Sequence, residues 1–263
     1  MNTWLALTKK EFKLSLPAFI IAAVLFVGFM VGGYFIGRNF GYADEVLLGV
    51  SLFASSLHTL LLAFYLFYSL NTERKRLHLW LHNPMSISGL LSAKIFTNFV
   101  YMIITFAASI TLNVIFFQRV TDLFNQQTLF NLTGTLLIMF LFSSLFVAAV
   151  FLFFWSIFMT LSQKMNDFLS FVITFLLFVF TSWALGKVTD LSFYQTLTQW
   201  GEIKIQDMFV GFELNVDFDS QSASGDTFLE STFIYIGDII VEIIGIIALF
   251  FATCWIIERK VEV

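Results

Sequence analysis

The chain predicts an all-α integral membrane protein with six transmembrane helices. An N-terminal amphipathic interface helix precedes the spans, and a small extracellular cap lies between spans five and six. Three observations carry this prediction. The 263 residues are 59% hydrophobic and 12% charged, with mean hydropathy +0.87, whereas a soluble domain carries about a quarter charged residues. Six apolar stretches are each long enough to cross a hydrocarbon layer of ~30 Å. The Lys and Arg residues fall unevenly on alternate sides of those stretches. Together they describe a single transmembrane domain over residues 1–263.

Residues 1–16 precede the first span. Trp4, Leu5, Phe12 and Leu16 fall near one helical face, with Lys9, Lys10 and Lys13 away from it. That pattern predicts a helix lying on the inner leaflet, Trp4 at headgroup depth and the lysines against anionic lipid. The spans follow near Pro17–Gly37, Val46–Leu70, Ile95–Phe117, Leu132–Met159, Phe168–Leu185 and Phe233–Ile257. The first apolar run is too long for a cleavable signal peptide and lacks a small-x-small cleavage site. It also carries Gly28, Gly32, Gly33 and Gly37, with Gly41 just beyond. Their four-residue spacings predict a smooth stripe for another helix, within the monomer or across a dimer.

With the N terminus inside, ten cationic residues lie inside: Lys9, Lys10, Lys13, Arg74, Lys75, Arg76, Lys94, Lys164, Arg259 and Lys260. Four lie outside: Arg38, Arg119, Lys187 and Lys204. Both termini are therefore expected in the cytoplasm. The outer segments hold eleven carboxylates, from Asp44 to Glu230, so the outer face is anionic.

The outer segment 186–232 is the longest. Leu191–Trp200 predicts a short helix capped by Asp190 and stopped at Gly201. Ile203 and Ile205, then Phe212, Leu214, Val216 and Phe218, alternate with polar residues and predict two short strands. Gln221–Asp226 (QSASGD) reads as a turn.

Few residues can carry chemistry. Cys254 is the only cysteine, which excludes an intrachain disulfide or thiol-pair chemistry, and it reads as a small buried hydrophobe. The net charge of −4 does not point to nucleic acid. No phosphate-cradling G-x-x-x-x-G-K-[ST], no H-E-x-x-H and no G-x-S-x-G occurs. His78 and His82 stand four apart, but no third ligand lies near them in sequence, so they read as a solvated pair and no metal site is expected. Three span residues are candidate substrate contacts. His58 lies in the second span. Asp238 and Glu242 share one face of the last; Asp238 is near the outer end, within reach of hydration or of Lys187 or Lys204. Most of the 36 phenylalanines read as lipid-facing surface; a Phe-lined path for an apolar substrate is the competing reading.

The strongest signal is the inner segment 71–94. Glu73-Arg-Lys-Arg leads into Leu77, Leu79 and Leu81, Asn83-Pro84 breaks the chain, and Ser86 or Ser88 opens a helix that runs through Lys94 into the third span. This pattern predicts a short projection with an apolar side and a basic side, suited to docking.

Two stretches resemble a known family. LALTKKEFKLSL (residues 5–16) resembles the N-terminal interface helix of ABC-2 type permeases, where Lys-Glu-Phe is common. ERKRLHLWLHNPMSISGLLSAK (residues 73–94) resembles the same family's segment between spans two and three, where an acidic residue, a Leu-rich stretch, Pro, Ser and a span-opening Lys recur in order. The six spans and long fifth-to-sixth segment fit its layout. The resemblance implies a transmembrane subunit in a bacterial cell membrane that dimerises with a second copy or paralogue and binds two copies of a cytoplasmic ABC ATPase. ATP and Mg would reside on that ATPase; this chain would hold no cofactor and no catalytic residue. Carried over, Glu73, Arg74, Lys75, Arg76, Leu77, Leu81, Pro84, Met85 and Ser86 form the coupling helix that enters the ATPase. Within the family, the layout and Phe content look most like permeases exporting amphipathic cytotoxic peptides such as phenol-soluble modulins. The expected function is ATP-driven export of an amphipathic or hydrophobic substrate, with motion passing through Glu73–Ser86 to spans one, two and five. Alternatives are an ATPase-coupled sensor or immunity component for membrane-active peptides, and a lipid or drug exporter. A self-contained intramembrane enzyme or secondary transporter is disfavoured by the missing catalytic constellation and the lack of a clear inverted repeat.

Overall fold

A computed structural model describes residues 3–74, 85–120, 126–217 and 222–260, with the backbone alone at 126–133, 135–136, 203–217 and 222–234. The fold is helical, with six helices long and apolar enough to span a membrane. They are α1 (Thr3–Phe40), α2 (Ala43–Arg74), α3 (Ile87–Val120), α4 (Gln126–Ser162), α5 (Asp167–Thr189) and α7 (Ile236–Lys260). A short α6 (Ser192–Thr198) and a hairpin of β1 (Glu202–Asp217) and β2 (Ser222–Tyr235) separate α5 from α7.

Local chemistry explains the helix ends. Gly41 has φ +80, its N–H donates to the Arg38 carbonyl, and the Tyr42 N–H donates to Gly37 O. This pair of bonds is a Schellman motif, which needs a residue without Cβ at the left-handed position. The Ser86 hydroxyl accepts from Gly89 N at 3.3 Å and so caps α3, one of the two serines expected there. Asn166 caps α5 by accepting from Leu169 N at 2.8 Å.

α1 differs from expectation. Residues 3–16 are helical but form no separate surface element; they continue without a break through Pro17 into the first span. The proline ring removes only the bond to the Lys13 carbonyl, and packing holds the rest. Leu7, Thr8, Glu11, Ser15 and Ala18 are the buried face of this stretch, while Leu5 and Leu16 are exposed. The inward face is thus partly polar, which the apolar pattern alone could not indicate.

α2 is the central helix, packed against α1, α3 and α4; α7 lies along α4, and α5 touches the bundle mainly through α4. The ends alternate. The start of α1, the end of α2 and the start of α3 meet at one end, since Lys10, Glu73 and Lys94 contact one another there. Arg74 reaches Asp167, bringing the start of α5 to the same end. We call this the basic end. At the other end, the hairpin end, Arg119 closing α3 donates to Asp44 opening α2 at 3.3 Å.

The main core lies toward the basic end and includes Leu66 and Leu70 of α2, Leu90 and Leu91 of α3, Leu152 and Met159 of α4, and Ile257 of α7. Cys254 is free and buried in the same core. A smaller core of Leu47, Leu48, Phe116 and Phe117 closes the hairpin end.

The outer segment departs from the expected cap. The stretches around Ile203 and Phe212 lie on one long strand, not two short ones, and this strand pairs antiparallel with β2, from Glu202↔Tyr235 to Asp217↔Ser222. The expected turn at Gln221–Asp226 is largely strand from Ser222 on, and Phe233 belongs to β2, not to the last span. The β2 sequence has serine, glycine and a charge where alternating apolar residues would signal a strand, so its pairing comes from the partner strand. Asp190 is the C-cap of α5 rather than the N-cap of α6, which Leu191 opens without a side-chain cap. The short helix ends at Thr198 with Gln199 as its C-cap, before the expected stop at Gly201; Gly201 has φ +69 and ties the base of the hairpin, its carbonyl accepting from Ile236 N.

The glycines divide sharply. A Cβ on Gly37 would lie 2.7 Å from Ala43 Cα, and one on Gly33 would lie 3.0 Å from Val50, whereas Gly28 and Gly32 meet nothing within 4 Å. Gly33 and Gly37 therefore serve packing of α1 on α2 within the monomer. Gly37→Ala is expected to destabilise the detergent-solubilised protein by about 1–3 kcal/mol through forced backbone shift. Gly28→Ala and Gly32→Ala should stay within ~0.5 kcal/mol of wild type; thermal denaturation of the three variants checks this contrast.

Candidate functional site

The two stretches that carry the family resemblance are far apart in sequence and meet in space. Lys94 stands seven residues into α3, about 10 Å along the helix at ~1.5 Å per residue. Its side chain runs back toward the helix start, as helical Cα–Cβ vectors do. That brings its ammonium to the basic end at 0% exposure. There Nζ lies 2.7 Å from Glu11 Oε2 of α1 and 2.7 Å from Glu73 Oε2 of α2. It also donates to Ser69 Oγ at 2.9 Å, and that hydroxyl donates to Glu11 Oε2 at 3.3 Å. Lys10 completes the set from the rim, its Nζ 2.5 Å from Glu73 Oε1. Two lysines and two glutamates give a neutral cluster, with Lys94 shared between two carboxylates.

Each residue of Lys10-Glu11-Phe12 thus has a partner. Lys10 binds Glu73, Glu11 binds Lys94, and Phe12 lies edge-on to Tyr101 with ring centroids 5.4 Å apart. Tyr101 also donates from Oη to the Phe12 carbonyl at 2.9 Å and stacks on Phe19. About two turns nearer the terminus, Trp4 Nε1 donates to Ser92 Oγ at 3.4 Å. The start of α1, its Trp4 indole included, is therefore clamped along α3.

Glu73 and Lys94 bracket the expected docking projection. Of its predicted residues, Glu73 and Arg74 are the last turn of α2, and Met85 and Ser86 lead into α3. Lys75, Arg76, Leu77, Leu81 and Pro84 lie outside the described residues, as do His78 and His82. Arg74 bonds to Asp167 and sits over the Phe158 ring, 4.8 Å from its centroid. Glu73 is thus anchored to α1 and α3, and Lys94 to α1 and α2, with a side link from Arg74 to α5.

The three predicted substrate contacts do not come together. Asp238 is exposed and Glu242 half-buried on α7, and the ion pairs among the described residues include neither. His58 is buried in the middle of α2, its ring 5.1 Å from Phe106. Among the described residues no three His, Cys, Asp or Glu side chains gather as for a metal.

A polar seam that the sequence reading missed runs between α2 and α3. Ser51, Ser55, His58, Tyr65 and Ser69 face α3, and Tyr101, Thr105, Ser109 and Asn113 face α2, all buried or half-buried. Ser55 Oγ and Ser109 Oγ are 2.7 Å apart, and Asn113 Nδ2 donates to Ser55 Oγ at 2.7 Å. Such contacts hold helices together where lipid removes the hydrophobic drive. The three-to-four-residue spacing of these polar residues on α2 was the available signal.

A cleft of about 560 Å³ opens between α2, α4 and α5. Seven phenylalanines line it, among them Phe67, Phe151, Phe154 and Phe171, and Asn71 and Arg74 stand at its polar end. None of His58, Asp238 and Glu242 is among its lining residues.

Removing one partner of a buried pair leaves an uncompensated charge. Lys94→Met is therefore expected to lower stability by about 3–5 kcal/mol, and adding Glu11→Gln should recover part of that loss. A double-mutant cycle on detergent-solubilised protein measures it; a neutral Lys94→Met would show that the cluster holds nothing together. Compared with protein-family models, curated proteins and solved structures, the chain matches none.

Proposed function

We propose that this chain is the transmembrane subunit of an ATP-driven exporter of the ABC-2 type, moving an amphipathic substrate, a peptide in the first instance, out of a bacterial cell. One observation carries the reading. Glu73 and Lys94, which flank residues 75–84 in sequence, are tied by one buried ion cluster to the start of α1. A partner that pushed or pulled on the projection would move α1, α2 and α3 together, since separating them exposes an unpaired charge. Arg74 would pass part of that motion to α5 through Asp167. The expected route runs to spans one, two and five; the cluster adds α3 to it.

The cleft supports the substrate class. Its phenylalanine walls suit an apolar face, and its polar end lies at the basic end of the bundle. An amphipathic molecule entering from the leaflet on that side would keep its polar face near Asn71 and Arg74 while its apolar face moves inward at small desolvation cost. In this reading the basic end is cytoplasmic, both termini with it, and ATP with its Mg is held by two copies of a separate ATPase. A second permease copy, identical or paralogous, completes the transporter.

Two experiments test the proposal. Co-expression with ABC-type ATPases encoded beside the gene should yield a co-purifying complex, which Leu77→Asp and Leu81→Asp together should abolish without altering the melting temperature of the free chain. Absence of any ATPase in the complex would end the reading. In intact cells, Trp80→Cys in a Cys254→Ser background should resist an impermeant thiol reagent and react only after permeabilisation. Labelling of intact cells would place the projection outside and contradict the proposal.

A further inference from the structure

The cleft between α2, α4 and α5 is a long groove with one charged end. On α2 it is lined by Leu60, Ala63, Phe67, Asn71 and Arg74. These stand three or four residues apart and form one stripe of ~21 Å at ~1.5 Å per residue. The stripe is apolar until its last turn. At ~30 Å³ for a group the size of a water or a methylene, the volume of about 560 Å³ holds roughly 18 such groups. Spread over ~21 Å it gives a mean cross-section of roughly 27 Å², whereas an α-helix 10–12 Å across covers about 80 Å² or more. The groove at this width takes one hydrocarbon chain and must widen before a peptide helix enters it. Phe67, Phe171 and Phe175 are exposed, so its side opens on the flank of the bundle.

Arg74 closes α2. Its guanidinium carbon stands 4.8 Å from the centroid of the Phe158 ring, and Phe158 is itself part of the groove wall. The charge is therefore on the groove, not turned away from it. A guanidinium has five N–H donors. Among the described residues only Nη2 is engaged, by one oxygen of Asp167. Nε and Nη1 keep their donors, and the side chain is 26% exposed, within reach of a ligand. The Asp167 side chain is 64% exposed, so water screens its hold on Arg74. Lys164, in the turn before α5, and Lys9 and Lys13 at the start of α1 are exposed and enter no ion pair among the described residues. The groove thus joins an apolar length to a cationic mouth.

Depth and charge choose the occupant. Half of a ~30 Å hydrocarbon core is ~15 Å, so a lipid chain whose head sits at Arg74 ends within the ~21 Å stripe. The surplus of exposed cations around the mouth favours an anionic head over a zwitterionic one, whose ammonium they repel. A phosphate diester keeps its charge at the membrane surface, whereas a fatty-acid carboxylate loses part of its own as desolvation raises its pKa. Phosphate oxygens also match the paired donors of a guanidinium.

We infer that this groove holds one acyl chain of an anionic phospholipid from the leaflet at the basic end, with the phosphate on Arg74 and the second chain left in the bilayer. The inference goes beyond the exporter reading and does not rest on it; it needs no ATPase, and failure to find one would leave it standing. The test uses the purified chain in detergent and a phosphatidylglycerol with a diazirine at the chain end, photolysed and mapped by mass spectrometry. The probe should label Ala63, Val147 or Phe178, toward the deep end of the groove. Unlabelled phosphatidylglycerol should displace it about fivefold to tenfold better than phosphatidylethanolamine, the range of a charge-assisted bond discounted for exposure. Arg74→Gln should bring that ratio close to one, and Ala63→Trp should reduce labelling by filling the groove. Asp167→Asn breaks the same link between α2 and α5 but frees the guanidinium, so it should tighten phosphatidylglycerol binding; weaker binding would mean that Arg74 acts only by holding α5, and would overturn the inference. So would equal displacement by the two lipids on wild type, displacement by oleate but not by phosphatidylglycerol, or labelling confined to residues outside the groove.

Discussion

The ammonium of Lys94 is held at zero exposure between two carboxylates from two other helices. A lone lysine in this position would be too costly to keep buried in its charged form, and so would either glutamate. The three side chains are stable there only together, with Ser69 and Lys10 filling remaining hydrogen-bond positions. This mutual dependence fixes the start of α1, the end of α2 and the start of α3 relative to one another. The main apolar core lies toward the same end and includes Leu70, Leu90 and Leu91.

Away from the basic end, hydrogen bonds among Ser55, Ser109 and Asn113 join α2 and α3 beside buried apolar side chains such as Leu62 and Met102, and Leu47, Leu48, Phe116 and Phe117 close the far end. Two open volumes flank α2: the aromatic cleft on the α4 and α5 side, and a smaller pocket on the α1 side. α5 contributes little to the core, with only Ser170 and Thr174 buried. A rigid end next to a sparsely packed outer helix is an arrangement in which a displacement at one end changes the width of a side cleft. Small residues on α1 add to this, since Gly33 and Gly37 fix one face of the helix while Gly28 and Gly32 leave the other smooth.

The spans were legible because their signal is a sum over about twenty apolar residues, which no single tertiary contact can override. The cap at Ser86 was legible because capping is local chemistry. Lys94 and Glu73 stood out as charges beside spans, but their partner Glu11 did not, since a pairing across 83 residues is set by packing and leaves no local trace. The same reason hid the polar face of residues 3–16: the apolar stripe pointed to Trp4 and Phe12, while burial follows Thr8, Glu11 and Ser15. In the hairpin, the first strand showed its alternation and the second did not, because its pairing is supplied by its neighbour. His58 was visible as a histidine within a span; that one ring nitrogen is bonded and the other is not belongs to the fold alone.

The central claim is that three helix ends are held as one body by a shared buried charge. Hydrogen exchange of the reconstituted chain, wild type against Lys94→Met, tests it most directly. The account predicts that backbone amides at Thr8–Phe12, Ser69–Glu73 and Leu90–Lys94 all exchange faster, by similar factors, while those around Leu47–Ser55 are unchanged. Acceleration confined to α3, with the start of α1 as protected as before, would contradict it.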